Sequence, residues 1–426
     1  MLAALAALAA GSPATAAPAP GATFNLLSFG GKGAGATDNT AAFAAAAAAV
    51  AAAGGGTLFV PGAGVYKTRS FNLTSNMTLF IEGGATIQSS LDFLAWPLVA
   101  PLDAYPADGP RYAPLINGYR VRDVLITGNT SSAGEPPEID GLGLVWDVAY
   151  FAKLLKGQRP HAIEFVGSVG IEIGAVAVKE AAYWSVHFSE CGDVHMHDTT
   201  VISTTENGDG VDIGARNVLL ERVYIATADD AIAVKSGDAP PGSGLPSARN
   251  IIIRDSTLSS GEACVAIGSE MTAGVEDVLV RNVTCGAAGH ALLYIKERQD
   301  GGGFVQNVVV ADSFVSGPLE RFLWISQHFG EHGENAEQGA SASLPVLSNI
   351  TMRNIVVVAG GGVIEPLLLN GARAPPGVAG SGAILGVSLE DSVLGAALQQ
   401  SSCANASGTW RNVTPAPCSA LTPVAL

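Results

Sequence analysis

The sequence predicts an all-β chain: a single-stranded, right-handed parallel β-helix with a short N-terminal helix capping its first rung. Three observations carry that prediction. A turn residue followed by an alternating apolar triplet recurs nine times. The gaps between copies are about one solenoid coil or a coil with an insertion. After the first strand, no helical period interleaves the copies.

In chain order, the N-terminus opens with the apolar run Met1–Ala10, followed by Ala14-Thr15-Ala16, a small-x-small cleavage pattern. Residues 1–17 are therefore expected to be a secretory signal, although no Lys or Arg precedes the apolar run. Thr37-Asp38-Asn39-Thr40 caps an Ala-rich helix expected to run to about Ala53, where Gly54-Gly55-Gly56 ends it. Thr57-Leu58-Phe59-Val60 begins the first strand. The stretch Ala41–Ala53 is too short to cross a bilayer, and no other apolar run reaches about 18 residues, so no membrane span is expected.

The repeat copies start at Asp123, Gly170, Asp193, Asn217, Asn250, Asp277, Asn307, Asn349 and Gly386. Successive starts differ by 47, 23, 24, 33, 27, 30, 42 and 37 residues. The first gap reads as two coils of 23, and the longer ones as coils with loop insertions. Asparagines at repeat starts (Asn217, Asn250, Asn307) read as left-handed corner residues or as a side-chain ladder along the stack. A β-sandwich would show hairpin turns and no such self-similarity. No boundary is expected within residues 24–426, read as one solenoid domain with a C-terminal tail. The polar stretch His328–Ser343 reads as one long inserted loop.

Composition narrows the partners. The chain has 426 residues, 48% hydrophobic and 14% charged, with net charge −16 and pI near 4.8. That acidity argues against nucleic acid, and a polyanionic ligand would need a locally basic groove. Seven N-x-[ST] sequons (Asn72, Asn76, Asn129, Asn282, Asn349, Asn405, Asn412) agree with export. Of five cysteines, Cys403 and Cys418 flank a Gly- and Pro-containing loop and are expected to pair in an oxidising compartment. Among Cys191, Cys264 and Cys285, one is unpaired or all three are. Cys264 lies in an apolar run and reads as a buried free thiol.

The chemistry concentrates at Asn207-Gly208-Asp209-Gly210 and Asp229-Asp230. These carboxylates lie about twenty residues apart in repetitive β sequence, so one solenoid turn returns the second pair to the side of Asp209, about 4.8 Å along. Asp and Gly are common corner residues. Three clustered carboxylates, however, repel one another and gain nothing structurally. Held close, they share a proton, leaving one acid and one base at the same pH. That pair is what glycoside hydrolysis uses.

These residues, with others in the same order, resemble glycoside hydrolase family 28, the polygalacturonases, and most of all its plant branch of probable polygalacturonases. The likeness runs through Phe29-Gly30-Gly31, Asp38-Asn39-Thr40 and Phe43. It continues through Val60-Pro61-Gly62-Ala63-Gly64, Ile139–Trp146, Arg159–Glu164 and Tyr183–His187. It then takes in Asn207–Gly210, Asp229–Gly237, Ile267–Met271 and finally Cys403 with Pro417-Cys418, covering nearly all of residues 24–420.

The resemblance implies an inverting hydrolase of α-1,4-galacturonan or a related pectic chain. Asp229 is expected as general acid, with Asp209 and Asp230 holding and deprotonating the water. Single displacement calls for carboxyls roughly 6.5–9.5 Å apart. Expected substrate contacts are Asn207, Lys235, Glu270, Tyr294, Lys296, Trp184 and His187. Lys296 reads equally as a surface lysine, and Trp184 equally as packing. Arg159-Pro160-His161 lines the same groove or is turn chemistry. No metal or cofactor is expected. The expected partner is a pectic polysaccharide outside the cell, with no nucleic acid and no membrane, and the expected state is a monomer.

Departures from the family pattern bear on specificity. A Gly-His-Gly motif is replaced by Gly261-Glu262-Ala263-Cys264, an Arg-Ile-Lys by Tyr294-Ile295-Lys296, and a Gly-Arg-Gly-Gly by Asp300–Gly303. Arg298 is a candidate replacement cation. Fewer cations weaken selection for uronate. Rival readings are a polysaccharide lyase, disfavoured because Asp229-Asp230 has no adjacent Arg, and a non-catalytic wall-binding β-helix. His328-Phe329-Gly330-Glu331-His332 matches a zinc-protease pattern, but that motif needs a helix, which Gly330 and Gly333 oppose.

Overall fold

In the computed structural model, the described residues are 21–240, 242–298, 302–329, 344–357, 363–372, 382–394 and 399–425. The expected signal at 1–17 and most of the expected His328–Ser343 loop lie outside them. Residues form two compact units, one of 12–102 and 106–229, the other of 103–105 and 230–426, with the described parts of each treated in turn.

Both units are coils of parallel strands. In the first, Met77, Val124, Ile171, Val194 and Val218 stand in one register column on successive strands. In the second, Ile251, Val278, Val308, Ile350 and Val387 do the same. These side chains are buried, so each apolar triplet contributes one layer to a continuous interior. Aromatic residues stack the same way, as Phe165 on Phe188 at 6.0 Å between ring centroids.

All nine repeat starts have positive φ, between 53° and 73°. Asn, Asp and Gly tolerate that left-handed corner best. The side chains also form the expected ladder: Asn217 Nδ2 donates to Asp193 Oδ1 at 2.9 Å and Asn307 Nδ2 to Asp277 Oδ1 at 2.9 Å. A second corner of the same kind was not foreseen. There Asn282 donates to Asp255 (2.6 Å), Asn354 to Asp312 (2.9 Å) and Asn412 to Asp391 (3.0 Å). Sequon residues Asn282, Asn349 and Asn412 thus serve as corner residues.

Helix α1 spans Thr40–Ala52 and buries Ala42, Phe43, Ala46, Ala47 and Val50. Its strong alanine propensity offsets the lack of a side-chain cap from Asn39. Asp38 supplies the cap instead, accepting from Thr40 N at 2.9 Å. Phe43 stacks on Phe71 at 4.4 Å, closing the apolar interior at that end.

Three expectations are corrected. The gap of 47 is one coil, since Val124 pairs directly with Ile171. The extra residues include a second helix, α2 (Gly143–Phe151), in a region where no helical period was expected. It lacks a strong amphipathic pattern, and it is held by Trp146, buried against Phe93, Trp96 and Tyr112. Finally, Cys264 is not a free thiol. It is joined to Cys285 on the neighbouring strand, and Cys191 is the buried free cysteine. The two cysteines lie on strands Ala263–Gly268 and Val275–Ala288, a pairing that spacing in the chain does not reveal. Cys403 and Cys418 are bonded as expected. No helix among the described residues is long and apolar enough to cross a membrane.

Candidate active site

Asp209 and Asp229 occupy the same corner on successive coils of the first unit. Strand Thr200–Ser203 pairs in register with Tyr224–Thr227, and each aspartate lies in the turn that follows its strand. The first turn is tight: Gly208 N donates to Thr205 O at 3.1 Å, and a Cβ at Gly208 would fall 2.4 Å from the hydroxyls of Ser203 and Thr205. Asn207 takes a left-handed φ of 53° just before it. Asp209 itself is buried, and its carbonyl accepts from Ser185 N at 2.8 Å. Carboxylate oxygens of Asp209 and Asp229 lie within 4.8 Å of each other. The rise of one coil, about 4.8 Å, accounts for that proximity.

Arg159 holds the loop before Asp209. Its guanidinium is 1% exposed and bonds Asp147 on α2, the Glu206 carbonyl (2.9 Å) and Asn207 Oδ1 (2.8 Å). Asp147 closes the ring by accepting from Glu206 N at 3.1 Å. Tyr150 and Tyr183 cover the guanidinium at 4.7 and 5.2 Å. The unforeseen helix α2 therefore positions the Asp209 loop through one arginine.

Beside it lies a buried charge network. Arg111 grips Glu164 with two bonds of 2.8 and 2.9 Å, and Glu164 also meets His161 (2.7 Å) and His187 (3.2 Å). Burial pushes the Glu164 carboxyl up, but the two histidines and Arg111 together hold it well below the usual range. Burial lowers His187 to about 4 against the pull of Glu164, so its ring is neutral near pH 7. Trp184 is 5% exposed and packs against the rings of His161 and Tyr183 at 5.2 Å each, which also stack on each other at 5.4 Å. Its ring is packing within this stack, and Tyr183 is the more open face. Sequence reading missed Arg111, which lies outside every motif.

Asp230, next in the chain after Asp229, belongs to the second unit. It is 1% exposed, accepts from Ala263 N at 3.1 Å and pairs with Lys296 Nζ at 2.5 Å. Lys296 is thus a buried counter-ion rather than a surface lysine. It also lies over the rings of Tyr294 and Phe329 at 5.5 and 5.6 Å. Lys235 pairs with Glu270 at 2.7 Å. Burial raises the Glu270 carboxyl, and Lys235 more than reverses this, bringing it to about 2. Arg298 is partly buried in the same unit. Both expected lysines therefore face carboxylates of the protein.

Trp324 was also missed. It stands in register with Tyr294, stacks on it at 4.3 Å, and carries Arg321 at 3.7 Å over its other face. Aligning Ala291–Lys296 with Arg321–Ser326 as successive coils would have found it. Glu262, which with Ala263 is one of the two candidates for the position of the missing motif histidine, is ion-paired with His290 one rung on.

The model of glycosyl hydrolases family 28 matches residues 58–356. A "Probable polygalacturonase" of Vitis vinifera is 30% identical over 413 residues, covering 93% of this chain and 80% of that protein. "Rhamnogalacturonase A" of Aspergillus aculeatus is 23% identical over 347 residues, covering 80% of this chain and 68% of that one. Among solved structures, an exopolygalacturonase from Thermotoga maritima superposes with a TM-score of 0.78 at 22% identity, covering 94% of this chain and 93% of that one. A polygalacturonase from Erwinia carotovora gives 0.69 at 20%, covering 96% and 98%. These two likenesses bear on the fold, the right-handed parallel β-helix.

Proposed function

Because the chain belongs to glycosyl hydrolases family 28, we propose that it hydrolyses an α-1,4-galacturonan or a related pectic chain, with Asp209, Asp229 and Asp230 as the reacting carboxylates. The observation that carries this reading is the placement of Asp209 and Asp229 within 4.8 Å, with the next residue, Asp230, paired with Lys296. A carboxylate tied to a lysine and a backbone N–H is well placed to orient water. Asp229 then serves as the acid that protonates the leaving oxygen, and Asp209 with Asp230 removes a proton from the attacking water.

The resemblance to family 28 supports inversion. We assign inversion. A double displacement needs one carboxylate free to attack carbon. Asp230 is held by two donors, and Asp209 sits in a turn fixed by the Arg159 network. Proton NMR of the first product decides: an inverted anomer is expected, and a retained one refutes the assignment.

The paired state of Lys235 and Lys296 supports a pectic substrate with fewer free uronate contacts. Two disulfides support an extracellular site of action, the compartment in which pectic polymers occur. The test measures reducing ends released from polygalacturonate, rhamnogalacturonan and xylogalacturonan by the wild type and Asp229→Asn. Release by the wild type alone is expected, with the variant slowed at least about a thousandfold, the loss of a general acid and more. No release from any pectic polymer by the wild type would overturn the proposal.

A further inference from the structure

A second cluster of ligating side chains stands apart from the carboxylates, within the first unit. Glu172 and His195 are register partners on adjacent strands, as are Gly174 and His197, and His197 and Glu221. His195 and His197 alternate onto the same face of their strand. The contacts cross diagonally: His197 Nε2 meets Glu172 Oε1 at 3.2 Å, and His195 Nε2 meets Glu221 Oε1 at 3.3 Å. One ligand atom from each of Glu172, His195 and His197 lies within 4.8 Å of the others.

From these contacts we propose that Glu172, His195 and His197 form a binding site for a divalent first-row transition metal, zinc in the first instance, that bridges two successive rungs of the solenoid.

The tautomers argue for a cation. Nδ1 of His197 lies 2.7 Å from Asp198 Oδ2, and an ionised carboxylate can only accept. In the neutral ring that proton is therefore on Nδ1, and the Nε2 lone pair faces the Glu172 carboxylate. Two electron-rich atoms 3.2 Å apart need a positive charge between them: a second ring proton or a metal ion. For zinc, bonds of about 2.0–2.1 Å to N and O at tetrahedral angles put neighbouring ligand atoms roughly 3.3 Å apart. The two diagonal contacts already have that length.

The surroundings match what metal sites require. Asp198 orients His197 from behind and is itself held by Arg222 at 2.9 and 3.0 Å, a carboxylate–histidine–metal arrangement. Arg222 also pairs at 2.5 Å with Glu221 Oε1, the oxygen that meets His195. Gly174 makes the geometry possible. A Cβ there would sit 2.5 Å from Cε1 and 2.7 Å from Nε2 of His197, pushing the ring off its path to Glu172. The imidazoles are only partly exposed, so a bound ion keeps room for a water or a fourth ligand.

The test titrates the metal-stripped full chain with zinc chloride by calorimetry, then records X-ray absorption on the one-to-one complex. One equivalent is expected to bind, with about two imidazoles and one or two carboxylate oxygens around the metal, and to raise the unfolding midpoint. His195→Ala/His197→Ala and Gly174→Ala should each weaken binding at least about a hundredfold, and Asp198→Asn about tenfold. Zinc-free hydrolysis of pectic polymer should be unchanged in all of them. Absence of binding below millimolar zinc, with NMR showing His197 protonated on both nitrogens, overturns the proposal. So does undiminished binding by Gly174→Ala, which places the ion elsewhere.

Discussion

Glu297 offers the sharpest quantitative test of this structure. Its carboxyl is fully buried in the second unit; Gln327 Nε2 donates to one oxygen at 3.0 Å, and the other has no hydrogen-bond partner among the described residues. Burial raises its pKa from 4.5 to about 8, with Gln327 pulling weakly the other way. At 1.36 kcal/mol per pH unit, the folded state binds this proton more tightly by about 5 kcal/mol. The sign follows from which state keeps the proton. Between pH 4.5 and about 8 the unfolded chain has released it while the folded chain has not. Stability from this group is therefore complete below 4.5, falls by about 1.4 kcal/mol per pH unit above it, and levels off above about 8. Glu297→Gln copies the protonated carboxyl in shape and removes the titration. Urea unfolding of wild type and variant from pH 5 to 8.5 isolates the effect, since other groups cancel in the difference. The variant should gain several kcal/mol on the wild type across that range. Parallel pH profiles would show that Glu297 ionises in the folded chain and that the burial argument is wrong.

Other predictions concern the candidate site and the coil. Lys296→Met leaves the buried Asp230 carboxylate without its cation. Thermal unfolding should report a loss of about 3–5 kcal/mol, with turnover abolished; a variant that keeps turnover would remove Asp230 from the mechanism. Arg159→Lys cannot reproduce the fork to Asp147, Glu206 and Asn207. It should lower kcat/KM about a hundredfold by displacing the Asp209 loop, and unchanged kinetics would mean the loop holds itself. Replacing both Cys264 and Cys285 by Ala opens a loop of sequence separation 21 and should cost about 3 kcal/mol in urea unfolding. An unchanged midpoint would show that the rungs alone hold these strands together.

Much of the fold is legible in the sequence because a solenoid is local. Each coil packs on its neighbour, so the apolar triplet and the left-handed corner residue must recur, and nine of those corners are visible in the chain. The same locality places Asp209 and Asp229 on one corner of successive coils. Insertions obey no repeat. Helix α2 sits in one and is held by Trp146 packing, so its periodicity is weak, and with it the Asp147–Arg159 link stayed hidden. Register is likewise invisible from spacing when coils differ in length. It stacks Trp324 on Tyr294, and the packing of the coils joins Cys264 to Cys285 and sets Lys296 against Asp230. The sequence by itself determined the repeat, its corners and the clustering of Asp209 with Asp229. The tertiary structure decided which charges are paired, because that depends on which residues the coils bring side by side.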